Sequence, residues 1–454
     1  MKTLWEKGGK LHNEVLRFTT GKDPEMDPVL APYDIAGSMA HAIMLGETGI
    51  LTREESRELV KELGLLFGQV TEEPVTLEEG MEDIHSQVEA FLVSRLGDTG
   101  KKIHTGRSRN DQVMTAMLLM FRDYWVRLEQ EVNGLVTALL DQAEKHKETG
   151  LPGYTHLQVA MPSSVALWLG GHAESLVTDL ELGAGIRDLL NRNPLGSAAG
   201  YGSSFPVDRA LTTRLLRFKE PMISSNTAQL SRGRMETHMA YALGSFGASL
   251  TALASDMILY MNQQFGFISF PDELTTGSSI MPHKKNPDVL ELIRARGNRM
   301  IQLPSMIGGL KANLTSGYHR DLQLTKEMLF PAMQEMKEIL KMMQLMVNHM
   351  TVRDRILDDP VYASIYSVEA VNTKVQEGIP FRDAYRQVAR EMEEGRYRPG
   401  REFRHTHLGS TGNPGIREIR EKLVTVRDRY RGSSIETIVQ EMMSYSESPM
   451  QDHR

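Results

Sequence analysis

From Asp111 to Glu148 this chain runs thirty-eight residues without a proline, and its apolar positions keep one rhythm. Met114, Leu118, Phe121, Trp125, Leu128, Val132, Leu135 and Leu139 are spaced alternately four and three apart. That is one face of a single long helix. At a rise of about 1.5 Å per residue the rod is about 57 Å long. Gly150 and Pro152 then stop it. A rod this long buries its stripe only against partners of similar length, so the constraint spreads to the rest of the chain. Ser163 to Asn191 follows Pro162, which suits a first helical turn. Ala228 to Tyr260 mixes Ala, Gly and Ser with apolar residues, so close neighbours on several sides are expected. Thr325 to Met350 repeats the heptad at Leu329, Met333, Met336, Leu340, Met343 and Val347. No segment shows sustained strand alternation.

These segments predict an all-α chain. A central long-helix bundle over 105–356 is flanked by smaller helical domains over 1–104 and 357–454. The outer faces of such rods stay partly apolar, and packing bundles side by side in a homo-oligomer covers them. The 454 residues are 40% hydrophobic and 24% charged, ordinary for a globular chain with a large core. A formal charge of −7 offers no basic face for nucleic acid. With no cysteine there is no disulfide, thiolate metal site or cysteine nucleophile. The opening residues MKTLWEKGGKLHNEV lack the apolar core of a leader, and no stretch reads as a membrane span. The 28 methionines read as helix packing. Gly400 to Pro414 reads as loop, and Ser444 to Arg454 as a polar, frayed tail.

Four polar segments lie between the helices. HTGRSRNDQ (104–112) precedes the first rod. Arg107, Arg109 and Asn110 could hold carboxylates, or Asn110 or Asp111 could simply cap the helix. GYTHLQ (153–158) follows that rod and places Thr155 and His156 in a loop, where a histidine can shuttle protons or merely be solvated. In TTGSSIMPHKKNPDVLELI (275–293), Lys284 and Lys285 stand beside Asn286-Pro287, read as N-cap and first helical residue. Cations beside a helix N-terminus are unfavourable for stability but suit a dicarboxylate. GYHRDLQLTKE (317–327) sets Gln323 and Lys326 on one face; alone it reads as solvated surface.

Together these motifs are specific. GSSIMPHKKNPD resembles the signature loop of the fumarase/aspartase superfamily. HTGRSRNDQ, LPGYTHLQ and YHRDLQLTKE resemble its argininosuccinate lyase branch, as do EDIHSQVE (82–89), FPVDR (205–209) and PFRDA (380–384). The signature loop is shared with adenylosuccinate lyases, fumarases and aspartases, whereas HTGRSRND and YHRDLQ discriminate. The resemblance spans about 30–385. It implies an all-helical homotetramer with a twenty-helix core and no metal or organic cofactor; the lack of a leader or span signal predicts the cytoplasm, and the first rod's length predicts sites shared between subunits. It also implies β-elimination of argininosuccinate to arginine and fumarate, the last step of arginine biosynthesis.

The resemblance implies residue roles too. Ser279 and His156 share the base and acid work, in an order that the sequence leaves open. Lys285 and Asn286 hold the carboxylate where charge develops, and Glu291 is a candidate to orient His156. Arg109, Asn110, Thr155, Tyr318, Gln323 and Lys326 match substrate-binding positions. Where many members carry a serine in the N-terminal substrate loop, this chain aligns Asp23. An aspartate there could meet the substrate's guanidinium or amino end. His283 stands where Gln is common, and Gly200 to Ser203 also departs from the pattern.

Overall fold

The structure, a computed structural model, describes residues 12–73, 75–78, 81–398, 400–401, 405–428 and 433–447. Residues 1–11 and 448–454, which hold most of the N-terminal leader question and of the polar tail, lie outside these. Helices dominate the described residues, and the strands are short. Five rods form the central bundle: Arg109–Lys145, Val165–Leu190, Arg234–Met261, Asp288–Lys311 and Leu324–His349. All eight heptad residues of the first rod are buried, as are all six of the fifth. Met333, Met336 and Met343 are among them, so here methionine is core filler.

Side-chain pairings set the directions. Gly183 of the second rod lies against Trp125 of the first so closely that a Cβ would overlap the indole. Arg187 pairs with Glu129 at 3.6 Å beside it, and the Val165 N–H that opens the second rod donates to the Thr149 carbonyl oxygen just past the end of the first, so these rods are antiparallel. Trp168 and His172 reach Asp256, while Asp179 accepts hydrogen bonds from Ser245 and Ser249, which runs the third rod against the second. Gly247 and Gly297 bring the third and fourth rods together; a Cβ on Gly247 would stand 2.8 Å from the Gly297 carbonyl oxygen. Arg296 pairs with Glu335 and Glu338, and Tyr124 donates to the Met333 carbonyl oxygen at 2.6 Å. The rods therefore alternate direction, as short connections require. One end of the bundle collects the starts of the first, third and fifth rods. The opposite end collects the start of the fourth rod and the turn between the first two.

Four sequence expectations are corrected. The second rod begins at Val165, capped by Ser164. Pro162 instead lies in a hairpin of two strands, β1 (Gly150–Thr155) and β2 (Gln158–Ser164), so Thr155 ends a strand rather than occupying a loop. Proline fits there because a short edge strand leaves its missing N–H uncalled for. The expected Ala228–Tyr260 helix is two, Ser225–Ser231 and Arg234–Met261, broken where Gly233 takes φ 70°. The longer of these is apolar and long enough to cross a membrane by length and composition. In the fold it packs along the fourth rod and sends Met239, Leu243, Phe246, Leu250 and Met257 into the core. Finally, Asn286 does not cap a helix. Its backbone bridges Thr276, and helix begins at Asp288 after Pro287.

Candidate active site

At the first end of the bundle, Ser108 caps the first rod and Asp111 returns the bond to the Ser108 N–H at 3.0 Å. The cap is thus Ser108, not Asn110 or Asp111. Asp111 does more than cap. Its other oxygen accepts from the N–H groups of Gly196 (3.0 Å) and Ala198 (2.8 Å), tying the 194–203 segment to the rod. Burial raises its carboxyl to about 6 even though those amides and Arg107 favour the charged form. Arg107 is itself buried and donates to Ser38 Oγ at 2.9 Å, which removes it from the carboxylate-holding set.

Arg109 donates to Ser86 Oγ and Gln112 Oε1 and lies 3.5 Å from Asp83. The EDIHSQVE segment thereby acts as a buttress: Asp83 caps its own helix, and His85 stands 2.8 Å from Asp34. Burial would raise the Asp34 carboxyl, but His85, Arg107 and Gln112 hold it below its ordinary value. Asn110, half-buried at the second helical position, keeps its side-chain amide free of partners among the described residues.

The fifth rod's approach adds the rest of this cluster. Lys326 is buried, contrary to the solvated-face reading, with Nζ 2.5 Å from Asp23 and 2.5 Å from Asp27. Burial pushes the Asp23 carboxyl up to about 6, assisted by Asp27 and opposed by Lys326. The two carboxylates together hold the Lys326 ammonium above its ordinary value against burial. Gln323 donates to the carbonyl oxygens of Thr19 and Thr20, and Arg320 also reaches Thr19. Tyr318 lies exposed under the Arg232 guanidinium, 5.6 Å from ring centroid to Cζ. Asp27 was missed from sequence. Its only signal was its place four residues after Asp23, one helical turn away.

The other end holds the remaining candidates. Thr155 and Gln158 close the hairpin, with His156 exposed at its tip. The signature loop is pinched shut where Asn286 N–H donates to the Thr276 carbonyl oxygen at 2.8 Å and the Asn286 side chain donates to Gly277 O at 3.1 Å. Between those posts Ser279 is exposed, and Ile280 is 82% exposed. Lys285 pairs with Asp272, and Glu291 lies exposed on the first turn of the fourth rod.

Within one chain the predicted residues therefore fall into two sets. Asp23, Arg109, Asn110, Tyr318, Gln323 and Lys326 share one end. Thr155, His156, Ser279, Lys285, Asn286 and Glu291 share the other. The first rod between them has 37 residues, a length of about 55 Å.

A family model described as lyase matches residues 15–301, from the N-terminal cluster through most of the fourth rod. An argininosuccinate lyase of Parabacteroides distasonis is 51% identical over 410 residues, covering 90% of this chain and 92% of that protein. This chain belongs to the argininosuccinate lyase family. Other argininosuccinate lyases match at lower identity: 47% in Bacteroides thetaiotaomicron, covering 95% of this chain and 97% of that one, and 40% in Thermotoga neapolitana, covering 85% and 97%. Among solved structures, an EDDS lyase in complex with formate superimposes with TM-score 0.74 at 20% identity, covering 97% of this chain and 98% of that one. A class II fumarase of Schistosoma mansoni gives 0.67 at 17%, covering 92% and 91%. At such identities the likeness is one of fold. The segments that resemble argininosuccinate lyase motifs in the sequence sit at the two ends of this bundle.

Proposed function

We propose that this chain splits argininosuccinate into arginine and fumarate by β-elimination, in pockets that draw on several subunits of a homotetramer. The observation that carries the reaction is the 51% identity over nine-tenths of the chain with an argininosuccinate lyase. Shared pockets are supported by the roughly 55 Å that one rod sets between the two sets of candidate residues. No substrate of this size reaches both, and a symmetric assembly with antiparallel neighbours brings unlike ends together.

In this reading the base removes a proton from the succinyl carbon next to a carboxylate, the C=C bond of fumarate forms, and the C–N bond breaks. The leaving guanidino nitrogen receives a proton. The proton removed is weakly acidic, so the barrier falls only if charge developing on the carboxylate meets fixed donors and cations. Lys285, Asn286 and the amides of the signature loop supply them. Ser279 and His156 divide the proton transfers, and Ser279 needs a partner to act as a base because its free pKa is far too high. Glu291 orients His156. Thr155 accompanies His156, while at the other end Asn110, Tyr318, Gln323 and Lys326 bind the substrate, with Arg109 braced beside them by Asp83.

The test is ultraviolet absorbance of fumarate with argininosuccinate, adenylosuccinate, malate and aspartate supplied in parallel. Release from argininosuccinate alone is the expected result; preferential turnover of another substrate overturns the assignment.

A further inference from the structure

The hairpin that carries His156 is built in an unusual way. Thr155 pairs directly with Gln158, so the connection is the two residues His156 and Leu157. Both have positive φ, 54° and 57°. Two-residue turns with left-handed backbone at both positions match the twist of the strands, and their natural occupants are Asn-Gly or Gly-Gly. Here the positions hold a histidine, which tolerates that region better than most residues, and a leucine, which strains in it. Among the described residues they are the only adjacent pair of non-glycine residues with positive φ.

The histidine has a reason to be there. The leucine finds none inside its own chain. Its side chain is 75% exposed and joins no core cluster. Glycine would relax the turn without loss of packing. The rest of the hairpin is firm. Tyr154 packs edge-on against Phe265 at 5.5 Å. Gly153 lies so close to the facing strand that a Cβ would stand 2.9 Å from the Met161 carbonyl oxygen. A rigid arm thus holds a strained tip away from the body.

We propose that Leu157 is a positioning residue: its side chain docks on a neighbouring copy of this chain and so fixes where the strained turn presents His156. The neighbour is a second copy because Asn110 and its companions lie about 55 Å away within the same chain. The inference rests on the shared-pocket reading above. Leucine serves because an apolar anchor seats at one depth in a packed surface, whereas a solvated turn leaves the imidazole free to swing. Misplacing a proton-transfer group by about 1 Å can cost on the order of 100-fold.

The experiment compares Leu157→Gly, Leu157→Met and His156→Ala with wild type. Each is assayed for kcat and KM on argininosuccinate, thermal midpoint, and assembly by sedimentation. Leu157→Gly is expected to keep its assembly, melt no lower than wild type, hold KM within about twofold, and lose about 10–100-fold in kcat. Leu157→Met, which keeps an apolar anchor, is expected to recover most of that loss. Wild-type kcat in Leu157→Gly beside an inactive His156→Ala overturns the positioning role alone. A loss that tracks dissociation of the assembly also overturns it, making Leu157 an assembly contact. Full activity in His156→Ala overturns the underlying reading of His156 instead.

Discussion

Lys326 Nζ stands 2.5 Å from the carboxylate of Asp27, a residue only 1% exposed. A segment that reads from sequence as solvated surface therefore carries a buried cation, and its partner comes from the other end of the chain. Breaking a buried pair by removing one member leaves the other charge without compensation, at about 3–5 kcal/mol. Lys326→Met is expected to destabilise by about that much at pH 7. Part of the loss should return at pH 5 as the abandoned Asp23 carboxylate, already raised by burial, takes up a proton. Urea titrations at both pH values measure it, and an equal loss at both would mean that packing, not charge, is what Lys326 supplies.

Asp23 titrates in the opposite sense from an ordinary paired carboxylate. Its folded value, about 6, lies above the ordinary value of 3.8, because burial outweighs the pull of Lys326. Its charged form is thus disfavoured by folding, and its contribution to stability declines as pH rises through about 6. Below about 4 it is protonated in both states and contributes nothing. Asp23→Asn is expected to gain about 1–3 kcal/mol relative to wild type at pH 8 and to lose the gain by pH 4. Thermal melts across that range decide it. If Asp23 also meets the cationic end of the substrate, Asp23→Ala raises KM more than it lowers kcat.

Ser279 stands exposed on a loop closed by Asn286 and Thr276. Ser279→Ala is therefore expected to leave the circular dichroism spectrum and melting temperature unchanged while lowering turnover by about 10²–10⁴-fold or more. A purified variant with near-wild-type rate on argininosuccinate removes Ser279 from the chemistry.

The first rod makes a sharper prediction. Asn110 stands in its first turn and His156 follows its end, so a pocket that uses both takes them from different chains. Asn110→Ala and His156→Ala, each inactive alone, are expected to rescue one another when denatured together and refolded. With random mixing, about a quarter of the pockets receive both intact segments, given equivalent sites. Fumarate release no greater than that of either variant alone, beside a wild-type control that refolds, defeats the shared pocket.

The rods were legible in the sequence because a heptad stripe is a local, repeated signal. Every apolar position from Met114 to Leu139 and from Leu329 to Val347 that the spacing marked is buried. The chemistry-bearing segments were equally legible, since Gly, Pro and clustered polar residues interrupt that stripe. What the sequence alone determined was thus helix length, the order of rods and motifs, and, through the first rod's span, the separation of Asn110 from His156. It misjudged the hairpin because Gly150–Ser164 is too short for an alternating pattern, and its strands form by pairing with each other rather than by intrinsic preference. Only the tertiary structure decided that Lys326 is buried between Asp23 and Asp27, that Asp111 holds the Gly196–Ala198 backbone, and that Arg109 is braced by Asp83 and Ser86. Each of these joins residues distant in sequence, and their charges reveal themselves as buried only after packing has removed the water between them.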